Sequence, residues 1–76
     1  MQAFILIQTE VGRASAIAAQ IAQITGVQSA QDVIGPYDVI ARVSADDIAP
    51  VTQEIRRVPG ITRTLTCDIP EKPKTI

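Results

Sequence analysis

Four consecutive residues, Gly35-Pro36-Tyr37-Asp38, hold much of the chemistry this sequence offers. Glycine tolerates positive φ and proline presets its own, so the stretch reads as a turn. Gly35 has no side chain to block a carboxylate from nearby backbone N–H groups; it is equally readable as an ordinary turn glycine. Asp38 can accept a charge-assisted hydrogen bond from an ammonium group, or bond its own backbone as turn aspartates do. Tyr37 is the only tyrosine. Its ring packs and its hydroxyl bonds, which suits an interface anchor or the wall of a small pocket. Thr64 and Thr66 offer hydroxyls to an amide or carboxylate, or form a β-branched stripe that serves strand propensity alone. Arg42 and Arg63 read as structural partners of acidic residues, and Cys67 as a small buried hydrophobe.

Composition narrows what these groups can do. The 76 residues include no histidine and one cysteine. The commonest general base and metal ligand is missing, and an intrachain disulfide is impossible. The apolar helix faces carry no polar cluster. The chain therefore reads as a non-enzyme, with no metal and no cofactor expected. Net charge is −1. Direct nucleic-acid binding needs a concentrated basic face and stacking aromatics, and the aromatics here are Phe4 and Tyr37 alone. The apolar run Ala3 to Ile7 is too short for a signal peptide or a membrane span, so a soluble cytoplasmic protein with no membrane partner is expected. Met1 stands directly before the first strand, which reads as a native short protein and not an excised domain.

The elements that must position these groups follow from periodicity. Phe4, Ile5, Leu6 and Ile7 in succession predict a strand over Gln2 to Thr9 with both faces covered. From Arg13, Ala14, Ile17, Ala18, Ile21 and Ile24 recur at helical spacing, and Thr25-Gly26 ends the helix. Val27 to Ile34 predicts a second strand. Alternation from Val39 to Ser44 predicts a third, joined to the second through the 35–38 turn. Ser44-Ala45-Asp46-Asp47 fits a capping pattern, so a second helix opens at Ser44 or Asp46, with Ile48, Val51 and Ile55 inward. Pro59-Gly60 stops it. Ile61 to Ile69 predicts the last strand, with Thr64 and Thr66 on the sheet face away from the helices. Residues 1–69 form the domain, and 70–76 a tail.

The order is β-α-β-β-α-β, and the repeat of Ile24-Thr25-Gly26-Val27 in Val58-Pro59-Gly60-Ile61 supports two β-α-β halves. This predicts an α+β, ferredoxin-like fold: a four-stranded antiparallel sheet with two helices on one face. The first strand is apolar at both parities, and Ile40 adds to the face without helices. Uncovered apolar residues there predict a two-fold dimer, packed sheet to sheet or edge to edge. A domain this small buries only about 60% of the surface its unfolded chain exposes, which also favours self-association.

Two motifs at this separation resemble the RAM module of Lrp/AsnC transcription regulators. Val33-Ile34-Gly35-Pro36-Tyr37-Asp38-Val39-Ile40 is similar to that family's apolar-apolar-Gly-x-aromatic-Asp hairpin. Ile55 to Thr66, with Pro59-Gly60-Ile61, resembles its helix end followed by a threonine-containing strand. The resemblance runs from Ala3 to Ile69 and leaves no room for a helix-turn-helix domain, as in a stand-alone module. It implies amino-acid effectors bound between dimers near the hairpin, at Gly35, Tyr37 and Asp38 and, less directly, at Thr64 and Thr66. It also implies dimers assembled further, commonly into an octameric ring of four. A ligand-free assembly partner of a full-length regulator and an ACT-like amino-acid sensor are the alternative readings.

Overall fold

The computed structural model describes residues 1–71. Strands β1 (Gln2–Thr9), β2 (Val27–Asp32), β3 (Val39–Ser44) and β4 (Ile61–Ile69) alternate with helices α1 (Ala14–Ile21) and α2 (Ile48–Arg56) in the predicted βαββαβ order. The sheet order is β2-β3-β1-β4, and every neighbouring pair is antiparallel. Of the predicted tail, residues 72–76 lie outside the described residues.

The two-residue period of the strands decides which side chains meet the helices. Ala3, Ile5 and Ile7 of β1 and Val39, Ala41 and Val43 of β3 are fully buried. Direct pairing of Ala3 with Val43, Ile5 with Ala41 and Ile7 with Val39 puts all six on one face. Ile17, Ala18 and Ile21 of α1 and Ile48, Val51 and Ile55 of α2 complete the same cluster. Both helices therefore cover one face, and the other carries none.

Element ends depart from the sequence reading in three places, each for a local reason. Helix α1 stops at Ile21, not Ile24. The Gln23 and Ile24 N–H groups bond back only three residues, to Gln20 and Ile21, so the chain tightens into 3₁₀-like turns before Gly26. Strand β2 ends at Asp32, because the Val33 N–H bonds the Asp38 carbonyl and closes the turn early. Helix α2 is capped by Asp47, whose carboxylate accepts from the Ala49 N–H at 3.1 Å. Ser44, a predicted cap, instead ends β3.

Gly26 and Gly60, the repeated helix-to-strand glycines, have φ of 97° and 98°. Gly12 also has positive φ, 78°, but a Cβ there would meet nothing within 4 Å. At Gly26 a Cβ would lie 2.8 Å from Val51 Cγ2. Gly12→Ala therefore carries backbone strain alone, about 1–2 kcal/mol, while Gly26→Ala adds displacement of α2. Urea unfolding should show the larger loss for Gly26→Ala. Equal losses would mean that the close approach to Val51 contributes nothing.

Candidate functional site

The 35–38 turn is strapped to the end of β1. The Asp38 N–H donates to the Ile7 carbonyl at 2.9 Å. The Asp38 carboxylate Oδ2 accepts from the Thr9 N–H at 2.8 Å, in a half-buried setting. Gln8 Nε2 donates to the Pro36 carbonyl at 3.1 Å. The turn-aspartate reading of Asp38 is thus realised in a long-range form, since the backbone it bonds belongs to β1. One carboxylate oxygen is committed, and the geometry of the group is fixed by that bond.

Gly35 does not match the conformational reason expected of it. Its φ is not among the positive values, and an added Cβ would touch nothing within 4 Å. The turn therefore does not require glycine for backbone shape or internal packing. Tyr37 is half-buried beside it. Ile34 and Val11 are fully exposed; the first directly precedes the turn, and the second follows the β1 end to which the turn is tied.

Thr64 and Thr66 are not where the sequence reading put them. They pair across β1 and β4 with Ile7 and Ile5, both fully buried, and so face the helix side. Thr64 Oγ1 accepts from Arg56 Nε of α2 at 3.0 Å. The apolar alternation of β4 points the other way, with Leu65 opposite Leu6 and Cys67 opposite Phe4. The expectation assumed that the apolar row of β4 meets the helices. In fact it continues the second apolar row of β1. Cys67 is accordingly exposed and not buried. Arg42 pairs with no carboxylate among the described residues. Its Nη2 donates to Gln2 Oε1 at 2.6 Å, and its guanidinium lies 5.6 Å from the Phe4 ring centre. Among the described residues Arg63 makes no ion pair.

Thr64 and Val39 both flank Ile7, from opposite sides of β1. Two strand spacings separate them, about 10 Å, and Asp38 lies one residue beyond Val39. The Asp38 carboxylate itself reaches back to the Thr9 N–H of β1, the strand that pairs directly with β4. A concavity of about 340 Å3 does open at the edge strand, lined by Arg56, Ile61, Thr62, Arg63 and Thr64. Arg56 is a residue that sequence reasoning missed. Nothing in the spacing of α2 shows that its guanidinium crosses to a β4 hydroxyl eight residues on. Among the described residues no group of three or more His, Cys, Asp or Glu side chains is placed to hold a metal, and no helix is long and apolar enough to cross a membrane.

The family model of the Lrp/AsnC ligand binding domain matches residues 2–75. No curated protein matches the sequence significantly. Among solved structures, the chain is similar to TTHA0845 from Thermus thermophilus, at 33% identity and TM-score 0.82, over 96% of this chain and 98% of that one. It is also similar to FFRP-DM1, at 32% identity and TM-score 0.75, over 86% and 92% of the two chains. E. coli AsnC shares the fold at 20% identity and TM-score 0.72, with 99% of this chain covering 55% of that one. An ACT assignment is thereby set aside. A βαββαβ sheet with one bare face, the strapped Gly-x-Tyr-Asp turn and the family match together place this chain in the Lrp/AsnC ligand-binding domain family.

Proposed function

We propose that this chain is a regulatory module that holds a small amino acid between subunits at the 35–38 turn, and that ligand binding biases its assembly. The observation that carries the reading is Gly35: a glycine that the fold itself does not need, at an exposed turn, beside an oriented carboxylate. Absence of a side chain there lets backbone N–H groups meet a ligand carboxylate. Asp38 Oδ1 is available to an ammonium group, while the Oδ2–Thr9 bond holds the carboxylate in place. Tyr37 packs against the neighbouring subunit or the ligand side chain. On this reading the hydroxyls of Thr64 and Thr66 serve the ligand from a neighbouring subunit, across the contact between dimers. Arg56, bonded to Thr64, adds a cation to that side.

Assembly on this reading has two levels. The bare sheet face joins two copies, burying Phe4, Leu6, Ile40 and Leu65. Phe4 is 38% and Leu65 42% exposed in the single chain, an arrangement that association relieves. Ile34 and Val11, at the turn end, then join dimers to dimers, up to an octameric ring. The ligand can shift that equilibrium only by its differential affinity for the two assemblies. The same exposed apolar face favours a second reading, in which the chain is a ligand-free partner that co-assembles with a full-length regulator.

Thermal stability and scattering mass, measured with each common amino acid in turn, separate the two. A ligand at a hundred times its dissociation constant stabilises by about 2.7 kcal/mol, so a selective shift supports the sensor. No shift with any of them, on a particle larger than a dimer, supports the partner. Asp38→Asn keeps an acceptor for the Thr9 N–H and removes the charge. It should fold normally and weaken ligand binding about tenfold or more; unchanged affinity would remove Asp38 from the site. Leu65→Asp should reduce the scattering mass to that of a monomer, whereas Ile34→Ser should leave a dimer and abolish anything larger. A dimer that survives Leu65→Asp would mean that the sheet face is not the contact.

A further inference from the structure

Arginines gather at one end of the fold, where α2 stops and β4 begins. Four of the five in the sequence stand there: Arg13, Arg56, Arg57 and Arg63. Two of them have an acid at hand. Arg57 Nη1 lies 3.0 Å from Glu54 Oε1. Arg13 stands beside Gly60 together with Glu10: a Cβ on Gly60 would lie 3.6 Å from Glu10 Oε1 and 3.7 Å from Arg13 Cζ. The other two, Arg56 and Arg63, have no acidic partner among the described residues. Those two line the concavity at the edge strand, and no Asp or Glu lines it.

The two guanidiniums come from opposite faces of the sheet. Arg63 lies across from Gln8 and shares its side of β4 with Leu65, the bare face. Arg56 comes from α2 and donates Nε to Thr64 Oγ1 at 3.0 Å, on the helix side. That bond steadies Arg56 and leaves its two terminal nitrogens for a further acceptor. β4 has no neighbour on its outer side, so alternate backbone N–H groups there are also left over by the ladder. The concavity therefore presents donors and positive charge, with Ile61 as its one apolar wall. Exposed, the two cations are hydrated. In a contact between subunits they lose that water, and a buried cation without a partner is strongly unfavourable. An aliphatic ligand side chain offers no compensation there, and a lysine adds like charge. A carboxylate accepts from both forks, in short charge-assisted bonds.

We propose that the effector is a dicarboxylic amino acid. Its α-ammonium and α-carboxylate sit on the 35–38 turn of one chain, and its side-chain carboxylate lies between Arg56 and Arg63 of another. This rests on the effector reading given above and adds to it the chemical class of the ligand.

The test is calorimetric titration of the full chain, at fixed ionic strength, with glutamate, aspartate, glutamine, leucine, lysine and glutarate. Glutamate or aspartate should bind at least tenfold more tightly than any of the other four, the worth of a charge-assisted contact. Arg63 is exposed, so Arg63→Gln should keep the parent's ¹⁵N–¹H spectrum. It should cut the ratio of glutamate to glutamine affinity about tenfold, whereas Asp38→Asn should weaken both amino acids alike. Preference for a neutral or basic amino acid, lost in Asp38→Asn, would overturn the dicarboxylic ligand and leave the effector reading standing. No binding of any amino acid would overturn both. Glutarate binding as tightly as glutamate would reduce the concavity to a general anion contact. A scattering mass that falls in Arg63→Gln without ligand would assign the arginines to an acid of the neighbouring chain. Either of these last two results also overturns the proposal.

Discussion

Strand β1 is apolar on both faces, and the fold supplies helices for only one of them. Ala3, Ile5 and Ile7 are sealed beneath α1 and α2, while Phe4 and Leu6 continue outward into Ile40, Leu65 and Cys67 through direct cross-strand pairing. A one-residue slip of β1 would exchange the two sets. It would trade the isoleucines that fill the helix layer for a phenylalanine and a leucine of different shape. The register is therefore held by packing on one side, and the exposed row on the other side follows from it. The bare face is a consequence of how the core is built.

The hairpin turn depends on the same strand. β1 gives the Ile7 carbonyl and the Thr9 N–H to Asp38, and the Gln8 side chain to Pro36. A carboxylate oriented by a backbone donor loses little further freedom when it meets a second partner, which lowers the ordering cost of binding. The structural role of Asp38 and the ligand-binding role proposed for it thus do not compete. The bond that ties the turn down is also what presents the remaining oxygen.

Much of this was legible in the residues. Helical and alternating periods gave all six elements and the ferredoxin-like order. The paired glycines at 26 and 60 marked equivalent helix-to-strand joints, and both have the positive φ that such joints require. What remained illegible was orientation. The parity of β4 is clear from Thr64, Leu65, Thr66 and Cys67. Which parity faces the helices depends on pairing with Ile7, Leu6, Ile5 and Phe4, and no local rule supplies that. The natural assumption, apolar toward the helices, fails because the sheet has a second apolar face. The Arg56–Thr64 bond was hidden for the same reason. Gly35 shows the opposite case: its residue type suggested a backbone need, and the structure shows none.

Because β1 supports both the bare face and the turn, the two surfaces proposed for assembly and for the ligand share one element. Its hydrogen bonds run to β3 on one side and to the edge strand β4 on the other. Pressing two bare faces together loads the side chains of β1, β3 and β4 at once. The turn is fastened at Ile7 and Thr9, one and three residues beyond Leu6. The edge concavity at Arg56 and Thr64 is tied to β1 through the Ile7–Thr64 pairing. On the proposed reading, a ligand that bridges the turn of one chain and the edge strand of another contacts an element fastened to β1 in each. Such a ligand would sense the separation of subunits directly, and binding and assembly would be linked with no change of fold within either chain.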